Sequence, residues 1–381
     1  MDNTNNFIKA EILIKNGQNK TQRIINSYEN FKREHKTDWD WDNILAEENE
    51  KQIKLCEIYI DSTKINFSYF FTFKNLGNYK IKYNFKIPLK SINFLFANCE
   101  SVILLNFSSF KFENMKSITH SFYGCISLIS LNIDNLNSKN VLDMGYLFSE
   151  CQSIKSLDLS TFVTGNVTNM RGLFNDCENL KDINIKNFIT KNVKYMDYMF
   201  SGNKKIKKLV ITNFNTKNVI NMSSMFSCCN SLLSLDLSSF ETDNVMDMSY
   251  MFNFCSNLKD LNLSNFRTNN VITMVNMFSY CHSLISLDLS NFVTKNVSNM
   301  YGMFNNCNSL ISLDIYNFNF DKVSNMSLIF NQCHSIIFLI TNKDNNIIFN
   351  NDIFKGCNSL IKDSKYFSSE IDKLKNAIKL K

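Results

Sequence analysis

A cysteine returns every 26 residues along most of this chain, and that interval limits what it can fold into. Cys99, Cys125, Cys151 and Cys177 keep the spacing, Asn203 takes the next place, and Cys229, Cys255, Cys281, Cys307 and Cys333 continue it without an insertion. Cys357 follows after a shortened unit of 24. A unit this small cannot bury its own apolar side chains, whereas stacked copies share one continuous core. The spacing therefore predicts a solenoid, and its 381 residues need not divide into several globules.

The unit is clear in residues 281–306, CHSLISLDLSNFVTKNVSNMYGMFNN. Leu284, Leu287 and Leu289 form an L-x-x-L-x-L strand pattern, the last two at the period of a strand's inward face. Phe292 fills the place where the chain leaves the sheet. Thr294 and Asn296 are short polar residues suited to satisfying turn backbone and capping a helix start. Val297, Met300, Met303 and Phe304 recur at helical spacing, which predicts a short apolar helix face on the convex side. The cysteines read as small buried fillers. About ten parallel strands at ~4.8 Å would line the concave face. From that face an Asp/Asn column would point to solvent: Asn106, Asn132, Asp158, Asn184, Asp236, Asn262, Asp288 and Asp314.

The unit L-x-x-L-D-L-S-x-F-x-T-x-N-V-x-x-M-x-x-M-F-x-x-C resembles the 26-residue repeat of BspA-like bacterial surface proteins, a variant leucine-rich repeat, over about residues 92–356. The resemblance implies an α/β, right-handed leucine-rich-repeat-type solenoid with a parallel sheet on its concave face. It also implies a surface protein that mediates adhesion or host contact. No signal peptide, lipid-attachment cysteine or wall anchor is visible, and no apolar run reaches the ~18 residues of a spanning helix, so the expectation from the residues is a cytoplasmic protein.

Residues 1–91 lack the repeat and read as a small β-rich (α+β) domain covering the first solenoid edge. Expected strands are Ile8 to Ile14, Arg23 to Ile25, Leu55 to Ile60, Ile65 to Phe73 and Tyr79 to Phe85, with turns at Asp61-Ser62-Thr63 and Gly77-Asn78. Helices are expected around Tyr28 to Arg33 and from Asp42 to Lys54. Residues 92–356 form the solenoid and 357–381 a C-terminal cap, whose Ile371, Leu374 and Ile378 mark an amphipathic helix.

Chemistry is hard to place on such a chain. Zinc spacing of the C-x-x-C kind does not occur, and a turn rarely aligns His282 with Cys281 as a nucleophilic pair. The Asp/Asn column is one residue wide and mixed with amides, so it reads as a solvated face rather than a calcium site. The sequence predicts no catalytic residue, no metal and no cofactor. A net charge of +6 with scarce arginine argues against a nucleic-acid partner.

What remains is protein binding on the concave face. Its sharpest departure from the repeat is 178–217, where Lys181, Lys186, Lys204, Lys205 and Lys208 cluster and Val210 interrupts the Asp/Asn column. By strand alternation Lys186 and Lys208 should project from that face, beside the acidic positions Asp236, Asp288 and Asp314. Asp38-Trp39-Asp40-Trp41-Asp42 reads as a helix start whose Trp41 covers the N-terminal sheet.

Overall fold

A computed structural model of the chain describes residues 6–35, 43–112, 114–340 and 353–360. The Trp39/Trp41 segment and the expected C-terminal helix lie outside the described residues.

The first ninety residues build an antiparallel sheet that runs straight into the solenoid. Strand β1 (Phe7–Ile14) alternates burial, with Ile8, Ala10, Ile12 and Ile14 facing the core. It is followed by β2 (Thr21–Arg23), helices α1 (Tyr28–His35) and α2 (Asn43–Lys54), then β3 (Glu57–Ile60), β4 (Thr63–Ile65), β5 (Phe70–Thr72) and β6 (Gly77–Asn84). The expected strand from Ile65 to Phe73 is thus two short strands on different partners: β4 pairs with β3, and β5 with β2. The β3–β4 hairpin turns through Asp61 and Ser62 at φ 44 and 71, the left-handed pair of a tight two-residue hairpin. Ser27 caps α1 by accepting the Asn30 N–H, and α1 lays Tyr28 and Phe31 on Phe94 and Ala97 of the first coil.

Strand β1 lies between β6 and β7 (Val102–Asn106), antiparallel to both, and β7 pairs in parallel with β8 (Ser130–Asn132). The N-terminal unit and the first coils therefore share one sheet of order β4-β3-β6-β1-β7-β8. The edge that β7 would otherwise expose is occupied.

Beyond β8 the strands are two or three residues long: β9 (Ser156–Asp158), β10 (Asp182–Asn184), β11 (Ser234–Leu235), β12 (Asp260–Leu261), β13 (Ser286–Leu287), β14 (Ser312–Asp314) and β15 (Phe338–Ile340). They pair in parallel, as the repeat predicts, but in separate groups: β9 with β10, β11 with β12, and β13-β14-β15. The coil at 206–212 carries no strand. The expected continuous sheet is thus a file of fragments.

Continuity lies on the opposite side, where the sequence suggests helices. Among the described solenoid residues there are none; the M-x-x-M-F-x-x-C segments are stacked turns. Residues 144–151 show the pattern. Met144, Tyr146, Phe148 and Glu150 donate their N–H groups to the next coil, at Asn169, Arg171, Leu173 and Asn175 (2.7–3.0 Å). Leu147, Ser149 and Cys151 donate three residues back within the turn, and the Gly145 N–H is taken by the Asp143 carboxylate (2.8 Å). Every N–H of the segment is paired, so the polar backbone is satisfied without a helix. Four such bonds per coil recur from Ile118 to Asn306.

This path requires two left-handed residues per coil, for example Tyr146 and Glu150 (φ 52 and 61) or Gly302 and Asn306 (φ 59 each). Gly202 is needed at its place for a second reason: a Cβ there would meet the Asp176 carboxylate at 1.9 Å. Beneath the turns runs a stack of phenylalanines from Phe122 through Phe148, Phe174 and onward to Phe354, with centroids 5.5–5.9 Å apart. Val297, Met300, Met303 and Phe304 are buried as predicted, but by turns that point inward rather than by one helix face.

Candidate functional site

The cysteine column packs into the core, and its thiol pKa values are raised by their surroundings except at Cys357, which the hydrogen bond from Cys333 holds below its ordinary value. From Cys125 onward each ladder thiol lies against a phenylalanine carbonyl of the preceding coil, as Cys281 does to Phe252 and Cys229 to Phe200 (3.1 Å each). All twelve cysteines are free, and Cys228 alone is more than marginally exposed. Burial pushes the Cys229 and Cys307 thiols up to about 12 and Cys281 well above its ordinary value, so at neutral pH they stay protonated. His282 turns its Nδ1 to the Asn306 carbonyl (3.0 Å), while the Cys281 thiol is engaged elsewhere. Among the described residues no group of three or more His, Cys, Asp or Glu side chains could hold a metal ion.

Asn203 copies the cysteine it replaces. Its amide donates to the Phe174 carbonyl (2.9 Å), the bond a thiol makes elsewhere, and also to Phe200 (2.7 Å). Its carbonyl oxygen is left buried without a partner.

Thr294 and Asn296 serve neighbouring coils rather than a helix cap. The Thr294 hydroxyl accepts the Asn319 N–H (2.7 Å) and donates to the Asn319 carbonyl (2.8 Å). Asn296 donates to the Asn269 carbonyl (2.9 Å). Equivalent asparagines at Asn166, Asn192, Asn218, Asn244 and Asn270 floor an open groove of ≈ 850 Å³ that also touches Tyr195 and Met246. Their amides too are spent on backbone of the preceding coil (2.7–2.9 Å).

The Asp/Asn column is bent back onto the chain. Asp236, Asp288 and Asp314 each accept the N–H two residues on, at 3.0, 2.9 and 3.0 Å. The Ser238 hydroxyl and N–H hold the Asp236 carboxyl below its usual range. These residues close the turn after each strand, a geometric duty that accounts for the Asp/Asn preference.

Of the lysines singled out by sequence, Lys181, Lys186, Lys204, Lys205 and Lys208 are all exposed. Lys208 occupies the outward strand position shared with Asp182 and Ser234. Lys186 does not project from a strand: it lies past the end of β10, in the turn, its N–H directed at the Asn184 side chain (3.5 Å). Lys204 is paired with Glu178 (2.9 Å). Val210 is 58% exposed where other coils carry Asp or Asn.

Sequence reasoning singled out Lys181 as part of a lysine cluster but not the column it belongs to, the position just before the strand. It is exposed in every coil from Ile129 to Ile285, occupied in order by Ile129, Lys155, Lys181, Lys207, Leu233, Lys259 and Ile285. The signal was available, because the two x positions of L-x-x-L are dispensable to the core.

The family described as "Mycoplasma protein of unknown function, DUF285" matches three overlapping stretches, residues 90–209, 173–284 and 230–343, together about two thirds of the chain. The chain belongs to this family. The DUF285 matches begin within the first coils and stop before the last described one. A solved leucine-rich repeat protein from Bacteroides ovatus is similar at 17% identity, with a TM-score of 0.38 over 76% of this chain and 71% of its own. No curated protein matches. The DUF285 region is a leucine-rich-repeat-type solenoid of 26-residue coils, as the sequence predicts. No helix among the described residues is long and apolar enough to cross a membrane.

Proposed function

We propose that this protein is a non-enzymatic interaction module that binds a protein partner across the strand-bearing face of its solenoid. One contrast carries the reading. On the turn side, N–H groups and the asparagine and threonine side chains are committed to neighbouring coils, so substitution there is limited by the fold. On the strand side, the two positions before the second core leucine are exposed in every coil from Ile129 to Ser286 and differ from coil to coil: Lys207-Lys208, Leu233-Ser234, Lys259-Asp260, Ile285-Ser286. Stacked repeats characteristically write their binding specificity on such an extended face.

A photo-crosslinking side chain at Ser234, on the strand face, and another at Tyr250, on the turn face, tests the reading in extract of the source cell. Adducts to one protein species from Ser234 and none from Tyr250 are expected; adducts from Tyr250 alone would reject the strand face. Twelve unpaired thiols suit a reducing compartment, so we place the module inside the cell rather than in the surface role of BspA-like proteins. Protease treatment of intact cells checks this: an internal protein survives and a surface one is cleaved.

A further inference from the structure

The exposed column before the strands has an order of its own. Ile129, 60% exposed, is followed by Lys155, Lys181 and Lys207 in three consecutive coils, and Leu233, 48% exposed, ends the run. Backbone bonds from Lys181 to Lys155 (2.9 Å) and from Leu233 to Lys207 (3.4 Å) hold these coils in register. Around the run lie Lys186, Lys205 and Lys208, all exposed, so six lysines stand beside three carboxylates, Asp158, Asp182 and Glu178. Asp158 is already engaged by Ser160 and Asn184. None of the six lysines forms an ion pair among the described residues; Lys204 beside them does, with Glu178. A net charge of +6 on the whole chain makes this a local concentration of cations.

We propose that this column binds an extended acidic polypeptide segment whose carboxylates lie between two aliphatic side chains, an inference that rests on the interaction reading above. Coils stack at ~4.8 Å, so Ile129 to Leu233 spans about 19 Å, the length of roughly six residues of extended chain. The ends supply two apolar anchors and the middle three cations, a pattern that selects for charge and for aliphatic termini together. A nucleic acid fits less well, because the column offers no aromatic ring for base stacking and no arginine.

The test uses the full chain and a fluorescent, end-blocked peptide with glutamates between terminal leucines, beside oligoglutamate and a single-stranded DNA oligonucleotide, read by anisotropy. The leucine-flanked peptide should bind best. Lys181→Glu with Lys207→Glu should weaken it about tenfold or more, and Leu233→Ser should erase its advantage over oligoglutamate. Lys217→Glu with Lys295→Glu, exposed positions away from the column, should leave it unchanged. Equal binding by the column and control variants, or tighter binding of DNA than of the peptide, overturns the proposal. Crosslinks from Ser234 that persist in the Lys181/Lys207 variant would overturn the acidic-segment proposal while keeping the interaction reading. Absence of Ser234 crosslinks in the parent protein would remove that reading itself.

Discussion

His120 occupies a left-handed turn position (φ 54) that other coils fill with Phe94, Tyr146 or Gly172. It is stacked on Phe94 (4.5 Å) and packed beside Tyr146 (4.9 Å), with Nδ1 2.8 Å from the Thr119 hydroxyl. That hydroxyl donates to the Gly145 carbonyl (2.7 Å), so Nδ1–H is the donor to Thr119. Burial pushes the imidazole down to about 3. The folded protein thus refuses a proton that the unfolded chain accepts below its ordinary value near 6.5. The stability this contributes is fully present above that value and is lost as pH falls toward 3. The loss between pH 7 and pH 5 should be about 2 kcal/mol. His120→Phe, which repeats the residue at position 94, should flatten that part of the pH dependence in urea denaturation; equal losses in both proteins would show that His120 does not titrate this way. Asn203 is legible at the same scale only in part. Its departure from the cysteine rule is plain in the sequence, but that its amide keeps the carbonyl bond of a thiol is visible only once the Phe174 carbonyl is in place.

At the scale of the element, strand positions and the two N-terminal helices were legible, whereas the convex-side helices suggested by the repeat are turns. Leu287 and Leu289 show period-two spacing because a strand buries alternate residues however short it is. Val297, Met300, Met303 and Phe304 show helix-like spacing for another reason: two successive turns each return an apolar side chain to the same interior. A distinguishing signal exists. Neither left-handed column contains Val, Ile or Thr, from Phe94 to Leu328 or from Asn98 to Gly356, and β-branched residues are the ones that conformation tolerates least. The threonine ladder gives this element a measurable cost. Thr242, fully buried, accepts the Arg267 N–H (2.8 Å) and donates to the Arg267 carbonyl (3.0 Å), standing in for a backbone pair between coils. Thr242→Val keeps the shape but strands both groups and should cost about 2–3 kcal/mol. Serine already holds the equivalent place at Ser138, where it makes both bonds to Val163. Thr242→Ser should therefore stay within about 1 kcal/mol of the parent. Urea midpoints for the two variants decide it, and a Val form as stable as the Ser form would mean that the hydroxyl does not bridge the coils.

For the molecule as a whole, the period made the architecture legible while the face proposed for binding was read only partly. The lysine-rich coils at 178–217 stand out by composition, yet Lys186 is on a turn, and the alignment of Lys181 with Lys155 and Lys207 in one column was hidden because the core pattern places no demand on that position. Strand pairing is broken between groups, so cooperation among coils must run through the turn ladder and the phenylalanine stack, which are continuous from Phe122. No coil can bury its Leu, Met and Phe alone, and a coil that opens also exposes its neighbours, so the array should unfold as one unit. Its cysteines report this directly. In the native protein a thiol reagent should mark Cys228 and spare Cys255 and Cys281, whose thiols are buried and protonated. Through the urea transition, intact-mass spectra should show molecules carrying either that single label or the full set of twelve, with few between. A ladder of intermediate masses would mean that the coils open separately, and that the turn bonds and the phenylalanine stack bind neighbours too weakly to couple the array.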